Sequence, residues 1–282
     1  MVSLSRFLHS LFSSLHIVYA FTKSDITTIL GPVIFYALVS SPAFHHSHMP
    51  VLVGWVWIYL LQFCTSNQVV SVFEDNHNKP DRPIPAGLIS IQSTQILRWS
   101  LFLLCLWSSW YLQVLLPGIL MSIAFILYNE MHYDSHWLSK NILNSIGIVS
   151  FNTGAAAIAQ GNAFSIPDTH ICFTSCVNLL LIASTIQVQD FRDVVGDRIQ
   201  GRATLPAIFP NLSRIITSIL ISVWSFELSI LWRVSGVGAT IYVIFGLYIS
   251  GRIEFQRSQA EDKCTLGLYM VSDLCVYCNY IC

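Results

Sequence analysis

The sequence predicts an all-α protein, a polytopic integral membrane bundle of about nine transmembrane helices. Three observations carry that expectation. Only 10% of the 282 residues are charged and 54% are hydrophobic, against roughly 25% charged in a soluble domain. Apolar stretches of about 17–25 residues, the length a helix needs to cross a bilayer, follow one another along the whole chain. Once those stretches are threaded through a membrane, the basic residues fall almost entirely on one side of it.

In chain order the stretches are residues 27–44, 50–70, 92–111, 113–129, 141–160, 170–189, 213–232, 234–251 and 265–282. The third and fourth share an uncharged segment between Arg98 and Glu130, broken only around Leu116-Pro117-Gly118. A cut there leaves two adequate helices, provided Arg98 snorkels to the interface. The ninth stretch contains Asp273. Met1 to Phe21 lacks the pattern of a signal peptide, because Arg6 and two histidines interrupt it. With the N-terminus in the cytosol, Arg6, Lys23, Lys79, Arg82, Arg98, Lys140, Arg192, Arg198, Arg202, Arg214, Arg252, Arg257 and Lys263 all lie on the cytosolic side. Only Arg233 falls opposite, as the positive-inside rule expects. Asn211-Leu212-Ser213 fits a glycosylation sequon, but this orientation puts it in the cytosol, where it stays unmodified.

A net charge of −1 gives no reason to expect a nucleic-acid partner, and no obligate protein partner is indicated. The eight cysteines are not those of a small secreted scaffold; Cys64, Cys105 and Cys172 sit within apolar runs, as reduced buried thiols do. Cys275, Cys278 and Cys282 have no visible fourth zinc ligand. The His45-His46-Ser47-His48 run has no nearby carboxylate and is expected to be a wet loop.

Charge is concentrated in two places, each directly after an apolar stretch. The first runs from Asn67 to Pro83 and the second from Gln189 to Arg202. Continued as a helix, the second places Gln187, Asp190, Asp193 and Asp197 on one face, flanked by Arg192 and Arg198. Carboxylates in one stripe repel unless cations neutralise them. Mg²⁺ prefers oxygen ligands and bridges readily to phosphates. In the first cluster Asn67, Ser71 and Asp75 share a face, and Glu74 and Asn78 share the neighbouring one. Pro80 and Pro83 end that helix, and Lys79 and Arg82 offer a point charge and a fork of donors to diphosphate oxygens. The competing reading of either cluster alone is a solvated helix end with ordinary salt bridges. Two such clusters, 123 residues apart from Asn67 to Asp190 and facing the same side, argue for a binding site and hint at an internal repeat.

These residues resemble the UbiA superfamily of intramembrane prenyltransferases. The segment from Asp190 through Pro206 resembles the family's second aspartate-rich motif, and Arg82-Pro83-Ile84-Pro85-Ala86-Gly87 its loop after the first. The resemblance implies one domain over residues 1–282, a central cavity capped by cytosolic loops, and Mg²⁺-dependent use of an isoprenoid diphosphate. It implies Glu74, Asp75, Asn78, Asp190, Asp193 and Asp197 as metal ligands, with Asp75, Asp190 and Asp193 catalytic. Asn67, Lys79, Arg82, Lys140, Arg192 and Arg198 would bind substrate. Gln68 and Ser71 depart from the family, standing where aspartates are usual. With Tyr128-Asn129-Glu130, His136-Trp137 and Lys140-Asn141, the departures resemble a fungal branch that includes membrane-bound terpene cyclases. The expected function is ionisation of farnesyl or a similar diphosphate and cyclisation to a terpene, in the endoplasmic reticulum membrane. The alternative is intermolecular prenyl transfer to an aromatic or other lipophilic acceptor. A non-enzymatic membrane protein is the third reading.

Overall fold

The computed structural model describes residues 2–41, 44–161, 169–234 and 236–278. Its helices are α1 (Val2–Thr22), α2 (Gly31–Val39), α3 (Met49–Val70), α4 (Val72–Asn78), α5 (Ile91–Tyr111), α6 (Leu115–Phe125), α7 (Trp137–Gln160), α8 (Thr169–Thr185), α9 (Val188–Phe191), α10 (Val194–Ile199), α11 (Leu205–Ile208), α12 (Pro210–Leu231), α13 (Gly236–Phe255) and α14 (Gln259–Cys278). Wider π turns lead into α2 (Ile26–Leu30) and extend α6 (Ile126–Glu130). No β-strand occurs among the described residues.

A helix occupies the described part of each apolar stretch. Four meet both the length and the apolarity needed to cross a membrane: His46–Val70, Trp137–Gln160, Pro210–Leu231 and Gly236–Phe255. Ile26–Val39 and Leu115–Glu130 are apolar but shorter. The sequence assigned no element before residue 23, yet α1 forms there, and Ala20, Phe21 and Thr22 at its end are buried against the bundle.

The core that fixes the cavity's shape is aromatic. Trp55 and Tyr59 on α3 meet Phe151 on α7, each with ring centroids 6.4 Å away. Trp55 donates to Ser109 Oγ on α5 at 3.0 Å, which satisfies the one polar atom of a buried indole. Two glycines let helices come this close. A Cβ on Gly154 would lie 2.4 Å from the Trp55 ring, and one on Gly246 would lie 1.9 Å from Ser225 Oγ. At the other end of α12, Arg214 bonds both carboxylate oxygens of Asp262 on α14, at 2.9 and 2.8 Å. It also stacks 4.4 Å from the Phe191 ring, tying α9, α12 and α14 together beside the second acidic cluster.

That cluster is not the continuous helix the spacing predicts. The chain turns at Ile186-Gln187, forms the single turn α9, turns again at Arg192-Asp193 and restarts as α10. The reason is tertiary. Gln187 is drawn inward to Asn141 and Thr217, both at 3.0 Å, and Asp190 to Lys140 of α7. Asp197 turns instead to Thr204. Each side chain follows a different partner, so the carboxylates leave the common stripe.

Candidate active site

A cavity of about 1020 Å³ opens between α2, α3, α6, α7, α9 and α14. One end is charged and the other apolar. The apolar wall carries Phe63, Phe125, Tyr128 and Phe151. Phe63 sits 4.9 Å from Phe125 and 5.9 Å from Tyr128 between ring centroids, and Phe125 sits 6.3 Å from Phe151.

The charged end is built from four segments. On α9, Asp190 is 1% exposed and takes the Lys140 ammonium at 2.6 Å through Oδ1. Its Oδ2 is buried and accepts no hydrogen bond. Burial pushes the Asp190 carboxyl above the usual carboxylate range, against the pull of Lys140. In the following turn Asp193 meets Arg192 at 3.3 Å. On α10, Asp197 accepts from Thr204 Oγ1 at 3.0 Å and lies 3.6 Å from Arg202. The fourth segment is the first cluster. Here Asn67 reaches Asn129 at 3.4 Å, and Glu74 on α4 accepts from Gln200 and stands 4.0 Å from Arg202.

Arg202 is the hub of this ceiling, with Asp134 its nearest carboxylate at 2.7 Å. A short parallel bridge holds the two loops together: Ala203 N–H donates to Ser135 at 2.6 Å and Trp137 N–H to Ala203 at 3.0 Å. Neither Arg202 nor Asp134 was a sequence-predicted site residue. Arg202 follows a turn glycine inside the second cluster, which is a usable signal, whereas Asp134 stands alone and gives none. Lys23, Asp25 and Lys263 also line the cavity without a motif to mark them. Lys23 holds Asp81 at 2.6 Å, and that hydrogen bond keeps the Asp81 carboxyl below its usual range.

Of the residues the sequence singled out, Asn67, Glu74, Lys79, Arg82, Lys140, Asp190, Arg192, Asp193 and Asp197 line the cavity. Asp75 does not. It is fully buried behind Arg82, whose Nη1 donates to both its oxygens at 2.8 and 2.7 Å, while Ser71 Oγ donates at 3.2 Å. Arg198 is exposed and turned toward the Ala207 carbonyl, 3.5 Å away. The side chain of Asn78 lies outside the described residues. Gln68 also lines the cavity, and its amide donates to the Phe21 carbonyl at the end of α1 at 3.1 Å.

The six expected metal ligands are not gathered into one cage. Among the described residues no three His, Cys, Asp or Glu side chains stand close enough to hold a metal by themselves. The donor set still fits Mg²⁺, which takes one or two carboxylates and completes its shell with water and substrate phosphate. Oδ2 of Asp190 is a buried carboxyl oxygen that accepts no hydrogen bond, the kind of donor such a shell needs.

A profile of the UbiA prenyltransferase family matches residues 26–270. The chain is 29% identical over 241 residues to the fumagillin beta-trans-bergamotene synthase of Aspergillus fumigatus, covering 83% of this chain and 81% of that one. It is 37% identical over 175 residues to a polyprenyl transferase of Hericium erinaceus, covering 60% and 58%. A UbiA homologue from Archaeoglobus fulgidus, solved with GPP and Mg²⁺, has the same fold at a TM-score of 0.65 and 12% identity, covering 93% of this chain and 99% of that one.

Proposed function

Because the chain belongs to the UbiA prenyltransferase family, we propose that it ionises an isoprenoid diphosphate, with farnesyl diphosphate the best candidate, and closes the cation on itself to a terpene. The observation that carries this reading is the polarity of the cavity, with cations and carboxylates at one end and aromatic faces at the other. Lys79, Arg82, Lys140 and Arg192 would hold the diphosphate, and Asn67 would orient it. Asp190, Asp193, Asp197 and Glu74 would hold Mg²⁺. When bound, Mg²⁺ supplies charge that stabilises the departing diphosphate. The basic side chains add to that stabilisation as the allylic C–O bond breaks. Phe63, Phe125, Tyr128 and Phe151 exclude water and turn their negative faces toward the cation. Asp75 serves by fixing Arg82.

The protein would act in the endoplasmic reticulum membrane, spanning it nine times with both acidic clusters in the cytosol. The terpene synthase relative supports cyclisation. The polyprenyl transferase relative favours a second reading, in which an acceptor captures the cation. Membranes containing the protein, Mg²⁺ and geranyl, farnesyl or geranylgeranyl diphosphate, with no acceptor added, separate the two. A cyclic hydrocarbon absent from an Asp190→Ala control establishes a cyclase. Donor consumption that appears only on adding a lipophilic acceptor establishes a transferase.

A further inference from the structure

Among the described residues six carboxylates line the cavity, and five of them face a cation. Asp190 has Lys140 at 2.6 Å, Asp81 has Lys23 at 2.6 Å and Asp193 has Arg192 at 3.3 Å. Asp197 and Glu74 share Arg202, at 3.6 and 4.0 Å. Asp25 is the sixth, and it makes no ion pair among the described residues. Its oxygens accept only from neutral groups: Ser24 Oγ at 3.0 Å, Thr28 Oγ1 at 3.5 Å and Cys64 Sγ at 3.6 Å.

Position separates it further from the ceiling. Asp25 opens the π turn Ile26–Leu30, a rare geometry that is frequent at functional sites. Thr27, Thr28 and Ile29 of that turn line the cavity wall. Its neighbour Cys64 stands three residues before Asn67 on α3, which places it about 4.5 Å farther from the charged end. Asp25 therefore belongs to the boundary between the diphosphate-binding groups and the aromatic wall. With no cation paired to it among the described residues and its side chain at the cavity wall, the Asp25 carboxylate is placed to act as a general base.

We propose that Asp25 is the catalytic base that ends the reaction, a role that rests on the carbocation chemistry proposed above. The C–H bond beside the cationic carbon breaks and its electron pair becomes the new C=C bond. The proton goes to an Asp25 oxygen, the cation is neutralised, and the hydrocarbon and diphosphate are the products. In the transfer reading the same oxygen takes the proton that the acceptor loses when its new bond to the prenyl carbon forms. Without this base the cation persists until water captures it, and the product is an alcohol.

The test compares wild type, Asp25→Asn and Asp25→Glu as full chains in lipid nanodiscs with Mg²⁺ and farnesyl diphosphate. Hydrocarbon (or prenylated acceptor) and alcohol are quantified against diphosphate released. Asp25→Asn is expected to raise the ratio of alcohol to deprotonated product by about tenfold or more, and Asp25→Glu to return it toward wild type. Thermal midpoints of all three establish that they fold. An unchanged ratio in Asp25→Asn overturns the proposal. A uniform loss of all products with a raised Mg²⁺ requirement also overturns it, by making Asp25 a metal ligand. Wild-type protein that consumes none of geranyl, farnesyl and geranylgeranyl diphosphate, with or without acceptor, overturns the function itself and the base with it. That result is distinct from a failure confined to the variants.

Discussion

Replacing Lys140 by methionine tests whether the buried pair at the centre of the site behaves as its geometry requires. Lys140 and Asp190 are 7% and 1% exposed and 2.6 Å apart. At that distance, with an effective dielectric constant of about 20, their attraction is about 6 kcal/mol. Desolvation of both charges offsets most of it, so the pair adds little net stability while each member is costly alone. Lys140→Met leaves a buried carboxylate whose second oxygen is already without a partner. The expected cost is about 3–5 kcal/mol, a fall of about 6–20 °C in unfolding midpoint. The pH dependence has a definite sign. Burial already raises the Asp190 carboxyl in the folded state, and removing the ammonium raises it more. The folded variant then binds more protons than the unfolded chain, so its stability falls as pH rises from below the ordinary carboxylate range through the raised value. The deficit against wild type should therefore shrink in acid and widen toward neutrality. The assay is thermal unfolding of detergent-solubilised protein across pH 4–8, a range of about four units around and above the unperturbed carboxylate. Lys140→Met/Asp190→Leu should recover most of the midpoint and none of the activity. A single variant within about 2 °C of wild type at neutral pH, less than 1 kcal/mol for a chain of this size, would refute the buried-pair argument.

Asp75→Asn should raise the KM for the diphosphate about tenfold, the value of a weakened charge-assisted hydrogen bond, because it loosens Arg82. An altered Mg²⁺ requirement at unchanged KM would instead make Asp75 a ligand. Arg202→Met removes the hub shared by Asp134, Asp197 and Glu74, and should lower turnover about 100-fold or more; full activity would exclude Arg202 from the chemistry. Gly154→Ala places a methyl 2.4 Å from the Trp55 ring. It should cost about 1–3 kcal/mol in thermal stability and shift the product distribution by moving the wall that Trp55 shares with Phe151. Chelation with EDTA should abolish turnover and Mg²⁺ should restore it; activity that survives EDTA would remove the metal from the reaction. Asn211 should carry no glycan in microsomes, and a mobility shift on deglycosylation would reverse the proposed orientation.

Much of this architecture was legible because membrane helices declare themselves locally. The described part of each apolar stretch is helical, and the chain turns between α5 and α6 at residues 112–114, just before Pro117, which lies in the first turn of α6. The clusters were legible because charge is scarce in this chain. What periodicity could not supply was the path of the second cluster. Nothing in Gln189 to Arg202 shows that Lys140, 50 residues earlier, draws Asp190 out of the stripe. Asp134 was unreadable for the same reason, since its place depends on backbone pairing between Ser135 and Ala203. Helix α1 escaped because Arg6 and the histidines dilute a segment whose last turn is nonetheless buried.

The two departures from the family pattern find a physical explanation in the same contacts. Gln68 and Ser71 both line the cavity, and each has a local partner: the Gln68 amide donates to the Phe21 carbonyl and the Ser71 hydroxyl to Asp75. An aspartate at 68 would lose the amide donor and set a buried carboxylate against a carbonyl oxygen, an uncompensated charge. Among the described residues, seven cationic side chains and six carboxylates line the cavity, a net of one positive charge. Two further aspartates would make that balance negative and leave more charge for metal to neutralise. With fewer carboxylates in the first cluster, Lys79, Arg82 and Lys263 would meet the proposed diphosphate directly; among the described residues only Arg82 of the three is held by a carboxylate, Asp75. Under the proposed function the first cluster would chiefly hold phosphate, with Glu74 as its metal ligand, while Asp190, Asp193 and Asp197 of the second would hold metal. On this division, substitutions of Lys79 and Arg82 in the first cluster should act mainly on donor KM, and those of Glu74 and the second-cluster aspartates on the Mg²⁺ requirement.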